Sequence, residues 1–541
     1  MQANQDGRLI AEQFATRVEA NQKALTNALK SAYDFIVCGS GSSGSVVARR
    51  LAENPAVSVL LLEAGGTDLL PQIQDASRWR ENRYTAEDWA FETRPNPHLN
   101  GRSMPWAMGK VLGGSSSINA MAWARGHKND WNDLAEDTGD DGWSYQSVLD
   151  IYRDIEDWRG APDPEWRGSG GLLAVYPCVP SPLSAALFDG AHSLGIPSFA
   201  NQNGEMMETS GGVALGEYLT SNGRRLSIFR GYVYPYMNRP NLTVLTHALV
   251  TRIVVERAEA TGVEVAYEGA VRRFEASHEV ILSLGAIHTP KVLMQSGIGD
   301  ADELRRFGIQ VRQHLPGVGR NLQDHFLASA CVWESPPRAG PRVGNPTAGL
   351  FFWKSDGALT SPDLECLVVD NVFAGPTTNH LDNALPHCSI VPALVRPKSR
   401  GRVYLSGPGP NDPVDIDANI LSDPADVKAA MRGLRLCREL GNSTAFREFA
   451  RREVMPGQCG DDELENFVRN SAVSFHHYAG TAKMGRDGMS VVDGSLKVRG
   501  VDRLRIADGS VMPKVTTGNT MAPCVIIGER AAMMIRKSHG R

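Results

Sequence analysis

The 541-residue chain is expected to combine an α/β Rossmann-like domain with an α+β domain built on an antiparallel sheet. Three observations predict this. A short apolar run, Phe35-Ile-Val-Cys38, is followed by Gly39, Gly41 and Gly44 as G-x-G-x-x-G, and then by Val46, Val47, Ala48 and Leu51 at helical spacing. That is a buried strand, a tight turn and a helix. A second apolar run over residues 57–62 ends at Glu63, 24 residues after Gly39. Between about Phe326 and Asp461 the pattern changes. Runs at 364–370, 387–391 and 401–405 read as antiparallel strands, and 423–440 as a helix.

In the first unit, Gly39 permits the turn, Gly41 lets the backbone approach a pyrophosphate, and Gly44 lets helix and strand pack closely. The helix start offers unpaired N–H groups to phosphate. Glu63 stands where a ribose-binding acid is expected, and its charge disfavours a 2′-phosphate. The unit therefore predicts a bound dinucleotide and leaves FAD and NAD open.

Composition narrows the class. The chain is 42% hydrophobic with a formal net charge of -5, which leaves no basic footprint for nucleic acid. No apolar run approaches the ~18 residues of a membrane span, and no secretory leader is evident, so a cytoplasmic location is expected. The eight cysteines, Cys38, Cys178, Cys331, Cys366, Cys388, Cys437, Cys459 and Cys524, are scattered without a C-x-x-C pair. They predict reduced, mostly buried thiols, with neither a metal site nor a disulfide framework.

The remaining elements follow in order. Leu9, Ile10, Phe14, Val18, Leu25 and Leu29 mark residues 1–31 as an amphipathic helical extension. Residues 67–108, with Trp79, Trp89 and Trp106, read as a long loop-rich excursion. Gly109-Lys-Val-Leu-Gly-Gly-Ser-Ser-Ser-Ile-Asn119 reads as a second loop-to-helix contact for a phosphate or ring; taken alone it reads better as a capped Gly-rich turn. Short strands are expected across 240–285, as a meander, and then a helix with Pro290 near its start. Finally, Gly518-Asn-Thr-Met-Ala-Pro523 opens an apolar helix from Val525 to Ile535.

Together and in this order, these motifs resemble the glucose-methanol-choline (GMC) flavin oxidoreductases. Further landmarks are Leu315-Pro-Gly-Val-Gly-Arg-Asn-Leu-Gln-Asp-His325, Arg396-Pro-Lys-Ser-Arg-Gly401 and the run from His477 through Asp508 to Asn519. The resemblance implies FAD and the GMC oxidoreductase fold. Its FAD-binding domain would be discontinuous (32–170, 225–325 and 465–541), and its substrate domain would cover 171–224 and 326–464. It implies that Gly39, Gly41, Ser42, Ser43, Gly44 and Glu63 hold the ADP half, with the Val250 backbone at the adenine. Gly109, Val111, Gly113, Gly114, Ser116, Asn119, Ala120 and Met121 would serve the ribityl and flavin side, with Ala286 from the second signature. Asp508 and Gly509 would meet the pyrophosphate or ribityl chain, and Thr520 and Met521 the pyrimidine edge. Some relatives tether FAD through a His in the first signature. Ile118 stands there, so non-covalent FAD is expected.

Alcohol oxidation removes a hydroxyl proton and a carbinol hydride, and imidazole suits the proton step. By resemblance His477 is the base and Asn519 the second catalytic position, donating to developing alkoxide. Asn519 also reads as a helix N-cap. His476 replaces the usual aromatic, and Tyr478 the usual proline. Strand alternation would turn His476 away from His477, leaving it a pocket-lining or supporting role. Phe351, Phe352 and Trp353 are either pocket or core. The function so read is oxidation of a primary alcohol to the aldehyde, with hydride passing to flavin N5 and then to oxygen or another acceptor. The alternatives are a flavin-binding lyase or non-redox homologue and an NAD-dependent dehydrogenase. The particular alcohol, the acceptor and the oligomeric state are open at this point.

Overall fold

The computed structural model describes residues 2–329, 331–336, 347–373, 375–381 and 386–540. Among these, a seven-stranded sheet runs in the order Leu242–Leu245, Val59–Leu62, Ala32–Cys38, Ala270–Leu282, Glu259–Tyr267, Leu249–Glu256, with Leu504–Ile506 also paired to Ala270–Leu282. The strands around Ala32–Cys38 are parallel, and the last three of the order are antiparallel. All four residues of Val59–Leu62 are buried, as an apolar strand covered on both faces must be. Leu242–Leu245 was expected within the meander but forms the parallel edge beside Val59–Leu62. Its apolar residues can be buried on both faces there.

The helix Ser42–Ala52 follows the glycine turn and packs against the C-terminal helix Met521–Ser538. Gly39 has φ +99, and a Cβ there would stand 2.3 Å from the Ser283 carbonyl oxygen. The turn thus needs glycine both for its backbone and for the close pass of the strand end.

A second, eight-stranded sheet runs in the order Arg452–Met455, Cys331–Glu334, His387–Leu394, Leu364–Val369, Thr347–Trp353, Gly212–Ala214. Phe326–Ala328 pairs with both His387–Leu394 and Ala472–Ser474. Its described pairs are antiparallel. Alternation along Leu364–Val369 sends Leu364, Cys366 and Val368 into the cluster with the helix Pro424–Gly441. Leu367 and Val369 join the opposite face, with Leu327, Val391, Ala393 and Phe352. Phe351 and Phe352 are both fully buried, so core packing is their role.

Four local expectations change. Arg402–Leu405 pairs with Val414–Asp417 in its own hairpin, outside the large sheet. Gly114–Ser117 forms one 3-10 turn rather than the start of a helix, and Ile118–Trp123 is irregular. Pro290 is not in the first turn but inside the helix Gly285–Gln295. Its missing N–H would leave the Ala286 carbonyl unpaired; the buried Thr481 hydroxyl donates to that oxygen at 2.6 Å. The N-terminal helix spans Gln2–Asn27, yet its expected stripe is only partly used. Val18 is buried and Ile10 is 64% exposed. The buried anchor is Gln22, which donates to the Met237 and Leu242 carbonyls and accepts from Val244 N–H.

All eight cysteines are free. No group of metal-ligating side chains occurs among the described residues, and no described helix is long and apolar enough to cross a membrane.

Candidate active site

The glycine turn, the Gly109–Asn119 segment and the C-terminal run converge on one cavity of ≈ 1320 Å³. Of the residues singled out from sequence, all but four line it. Gly44, Val111, Gly113 and Met121 stand behind the wall and shape it. A Cβ on Gly44 would lie 1.9 Å from the Gly39 carbonyl oxygen. Val111 packs with Ile73 and Ile118. Gly113 N–H donates to the Ser40 hydroxyl. Met121, at φ +62, is buried, with its N–H bonded to Asn119 Oδ1.

At the nucleotide end, the helix Ser42–Ala52 is capped by Gly41 without a side-chain hydrogen bond. A Cβ on Gly41 would meet nothing within 4 Å, so the turn leaves open space in front of the helix N-terminus. Unpaired first-turn N–H groups facing that space suit phosphate oxygens. Glu63 is held by Ser40 N–H and Oγ at 3.1 and 2.7 Å and by Gly65 N–H at 2.9 Å. Burial raises its pKa, and these hydrogen bonds oppose the rise.

In the middle of the cavity, Asp508 accepts from Gly285 N–H, Thr289 Oγ1 and Ser510 N–H. It ties the start of one helix to the C-terminal turn. Asn119 donates to Met521 Sδ at 3.2 Å and accepts from Arg225 at 2.9 Å. Arg225, absent from the sequence reading, also donates to the Ile73 and Ser116 carbonyls. Burial without a carboxylate pushes its pKa down to about 9. No local motif marks it.

At the far end, His477 Nε2 lies 3.1 Å from Asn519 Nδ2, and His477 Nδ1 lies 2.9 Å from His325 Nδ1. With the amide nitrogen toward Nε2, that ring atom is an acceptor, so the proton sits on Nδ1 and is given to His325. The Nε2 lone pair of His477 therefore faces Asn519, from which it accepts, at the cavity wall. Asp324 accepts His477 N–H at 2.8 Å and the Ser474 hydroxyl at 2.5 Å. Burial lowers the His477 pKa to about 3 and raises Asp324 to about 7. His325 falls well below its usual value through burial and then the neighbouring His477. Asp324 and His325 end the landmark at 315–325, which was the one signal that could have found them.

Residues 475–478 form a bend, not a strand, and His476 takes φ +63. The alternation argument therefore fails: His476 and His477 both line the cavity. His476 Nδ1 meets the Tyr478 hydroxyl at 2.8 Å, and the Tyr478 ring stacks on Trp106 at 4.1 Å. The N-cap of the last helix is Thr520, without a side-chain cap bond, so Asn519 is not the cap.

Family models described as GMC oxidoreductase match residues 33–327 and 397–528. The chain belongs to the GMC oxidoreductase family. An oxygen-dependent choline dehydrogenase from Citrobacter koseri is 36% identical, over 93% of this chain and 95% of that protein. An alcohol dehydrogenase [acceptor] from Pseudomonas putida is 34% identical, over the same shares. Among solved structures, a pyridoxine 4-oxidase from Mesorbium loti superposes with a TM-score of 0.89 at 29% identity, covering 94% of this chain and 99% of that one. A formate oxidase from Aspergillus oryzae superposes at 0.87 with 28% identity, covering 94% and 99%. This GMC chain is an FAD-dependent oxidoreductase acting on CH-OH groups. The open space at Gly41, the uncapped helix start and the size of the cavity suit a bound FAD.

Proposed function

We propose that this GMC oxidoreductase oxidises a primary alcohol to the aldehyde, with His477 as base and Asn519 as oxyanion donor. The observation that carries the reading is the 3.1 Å approach of Asn519 Nδ2 to an unprotonated His477 Nε2 at the cavity wall. A hydroxyl oxygen approaching both from the cavity can give its proton to Nε2, displacing the amide from it, and accept a hydrogen bond from the amide. Burial keeps His477 neutral, so it is ready to accept. A base this weak gains the proton only as negative charge grows beside it. Proton and hydride departure are therefore coupled. Bound FAD supplies the hydride acceptor.

In this reading the residues around Gly41 and Glu63 hold the ADP half with the Val250 backbone at the adenine, Asp508 and Gly509 meet the pyrophosphate or ribityl chain, Thr520 and Met521 the pyrimidine edge, and Ala286 also lies against the cofactor. The Ile118 side chain has no nucleophile, which supports non-covalent FAD. The FAD-binding part comprises about 32–170, 225–325 and 475–541. Ala472–Ser474 pairs in the large antiparallel sheet, which supports a last boundary after that strand in place of the expected 465.

Adding primary alcohols to the purified yellow protein without oxygen should bleach the flavin; a panel that leaves the absorbance unchanged sinks the proposal. Repeating it in air separates oxygen from another acceptor. Acid denaturation should release the flavin, and colour retained on the polypeptide would refute the non-covalent assignment.

A further inference from the structure

The cavity wall beside His477 has no charge of its own. Leu327, Leu367, Val369, Phe373, Val473 and Phe475 line it. Leu327 and Val473 are directly paired across strands, and the Phe475 ring lies 4.4 Å from the His477 ring. The carboxylates that line the cavity are placed or engaged elsewhere. Glu63 and Asp508 are bonded as described, Asp412 accepts from Gly409 N–H, and Glu92 is exposed. Glu365 is on the same sheet face as Leu367 but does not line the cavity, and both of its oxygens are buried.

One strong charge does face this end. Arg83 lines the cavity, and its guanidinium sits 5.2 Å from the Trp79 ring. Among the described residues, no carboxylate, carbonyl or hydroxyl accepts a hydrogen bond from it. Of the other basic side chains that line it, Arg102 donates to the Arg469 and Ala472 carbonyls and Lys291 to the Pro410 carbonyl, while Arg80 and Lys110 lie over Trp79 and Trp89. Arg83 is near enough to His476 and Tyr478 to affect both electrostatically. Those two residues are hydrogen-bonded to each other beside the base.

A guanidinium that reaches the cavity with no protein acceptor leaves its planar fork open to a ligand, and that fork matches a carboxylate. We propose that the substrate of this enzyme is an alcohol with an apolar, preferably aromatic, body and a carboxylate or equivalent acceptor docked on Arg83, and that cationic alcohols are excluded. The proposal rests on the alcohol-oxidation reading for its chemistry and adds the substrate class. A quaternary ammonium would lie against an uncharged wall of aliphatic and phenyl side chains with no carboxylate counter-ion and within the field of Arg83, which is repulsive selection.

The test uses the FAD-loaded enzyme and one scaffold carrying three charges: 4-(hydroxymethyl)benzoate, benzyl alcohol and 4-(hydroxymethyl)benzyl-trimethylammonium. From anaerobic flavin reduction, kcat/KM should be about tenfold higher for the anion than for the neutral alcohol. The cation should fall about a hundredfold below the neutral alcohol. Arg83→Met should collapse the anion-to-neutral ratio to about one, and Arg83→Lys should keep part of it. Binding of benzoate and of benzyltrimethylammonium, read as a shift of the flavin spectrum, measures charge preference without turnover. Benzoate should bind at least tenfold tighter, and Arg83→Met should abolish the difference. Equal binding, a preference for the cation, or a ratio unmoved by Arg83→Met overturns the proposal. A spectrum that shifts with benzoate in an Arg83-dependent way, yet is bleached by no alcohol, supports the docking site and refutes the oxidation reading.

Discussion

Glu365 sits inside the substrate-side sheet with both carboxylate oxygens buried and unpaired, and burial pushes its pKa from 4.5 up to about 8. Because the folded value exceeds the unfolded one, the protein binds this proton more tightly when folded. Stability from it is complete below about pH 4.5 and declines as pH rises toward 8. Integrating between these values makes the ionisation penalty about 1 kcal/mol at pH 5, about 3 at pH 7 and about 5 at pH 9. Glu365→Gln keeps the shape and removes the titration. At roughly 2.1 cal/mol/K per residue, unfolding 541 residues has an entropy of about 1.1 kcal/mol/K. The Tm of Glu365→Gln relative to wild type should then rise by about 2 °C between pH 5 and pH 7, and by a further degree or so by pH 9. A buried amide has its own cost, but that cost does not depend on pH, so the slope is the quantity to read. Differential scanning fluorimetry of the FAD-loaded proteins across pH 5–9 measures it. A Tm difference that is flat with pH would refute the argument that Glu365 is folded as a neutral acid.

Three further outcomes are expected. His477→Ala should lose about 10²–10⁴-fold in kcat while retaining its flavin absorbance, and Asn519→Asp about 10²–10³-fold by opposing alkoxide charge; near-normal turnover removes either residue from its role. His477 should stay unprotonated from pH 5 to 9, since its pKa is held at about 3. An acid limb of kcat/KM between pH 6 and 7 that survives Asp324→Asn would contradict this, because Asp324, at about 7, is the group beside it that titrates there. Thr481→Val should leave the Ala286 carbonyl unpaired at Pro290 and cost roughly 1–3 kcal/mol in denaturant unfolding. A stability equal to wild type would show that another donor takes its place.

How legible each part was depends on the span of chain that encodes it. Gly39, Gly41 and Glu63 were readable because a phosphate turn and its following acid are built from one strand, one turn and one helix. The last helix was readable from its apolar run, although its cap moved to Thr520. The direction of His476 was misread because a bend, not a strand, carries it; positive φ at a non-glycine residue has no signal in the letters around it. Pro290 reads as a helix start until Thr481, 195 residues away, is found satisfying the carbonyl behind it.

By itself the sequence determined the two fold classes, the strand–turn–helix at Gly39 and, through ordered motifs, the family, and it singled out the imidazole proposed as the base. Local steric and hydrogen-bonding demands are written in adjacent residues, so they survive reading one segment at a time. Only the tertiary structure decided that His325 and Asp324 hold His477 from 152 and 153 positions away, and that Arg83 enters the same cavity with no hydrogen-bond acceptor among the described residues. Those facts are distances between segments. They arise when burial of two sheets forces distant stretches of chain into a shared, water-poor space, where each unpaired donor and each titratable group acquires its energy.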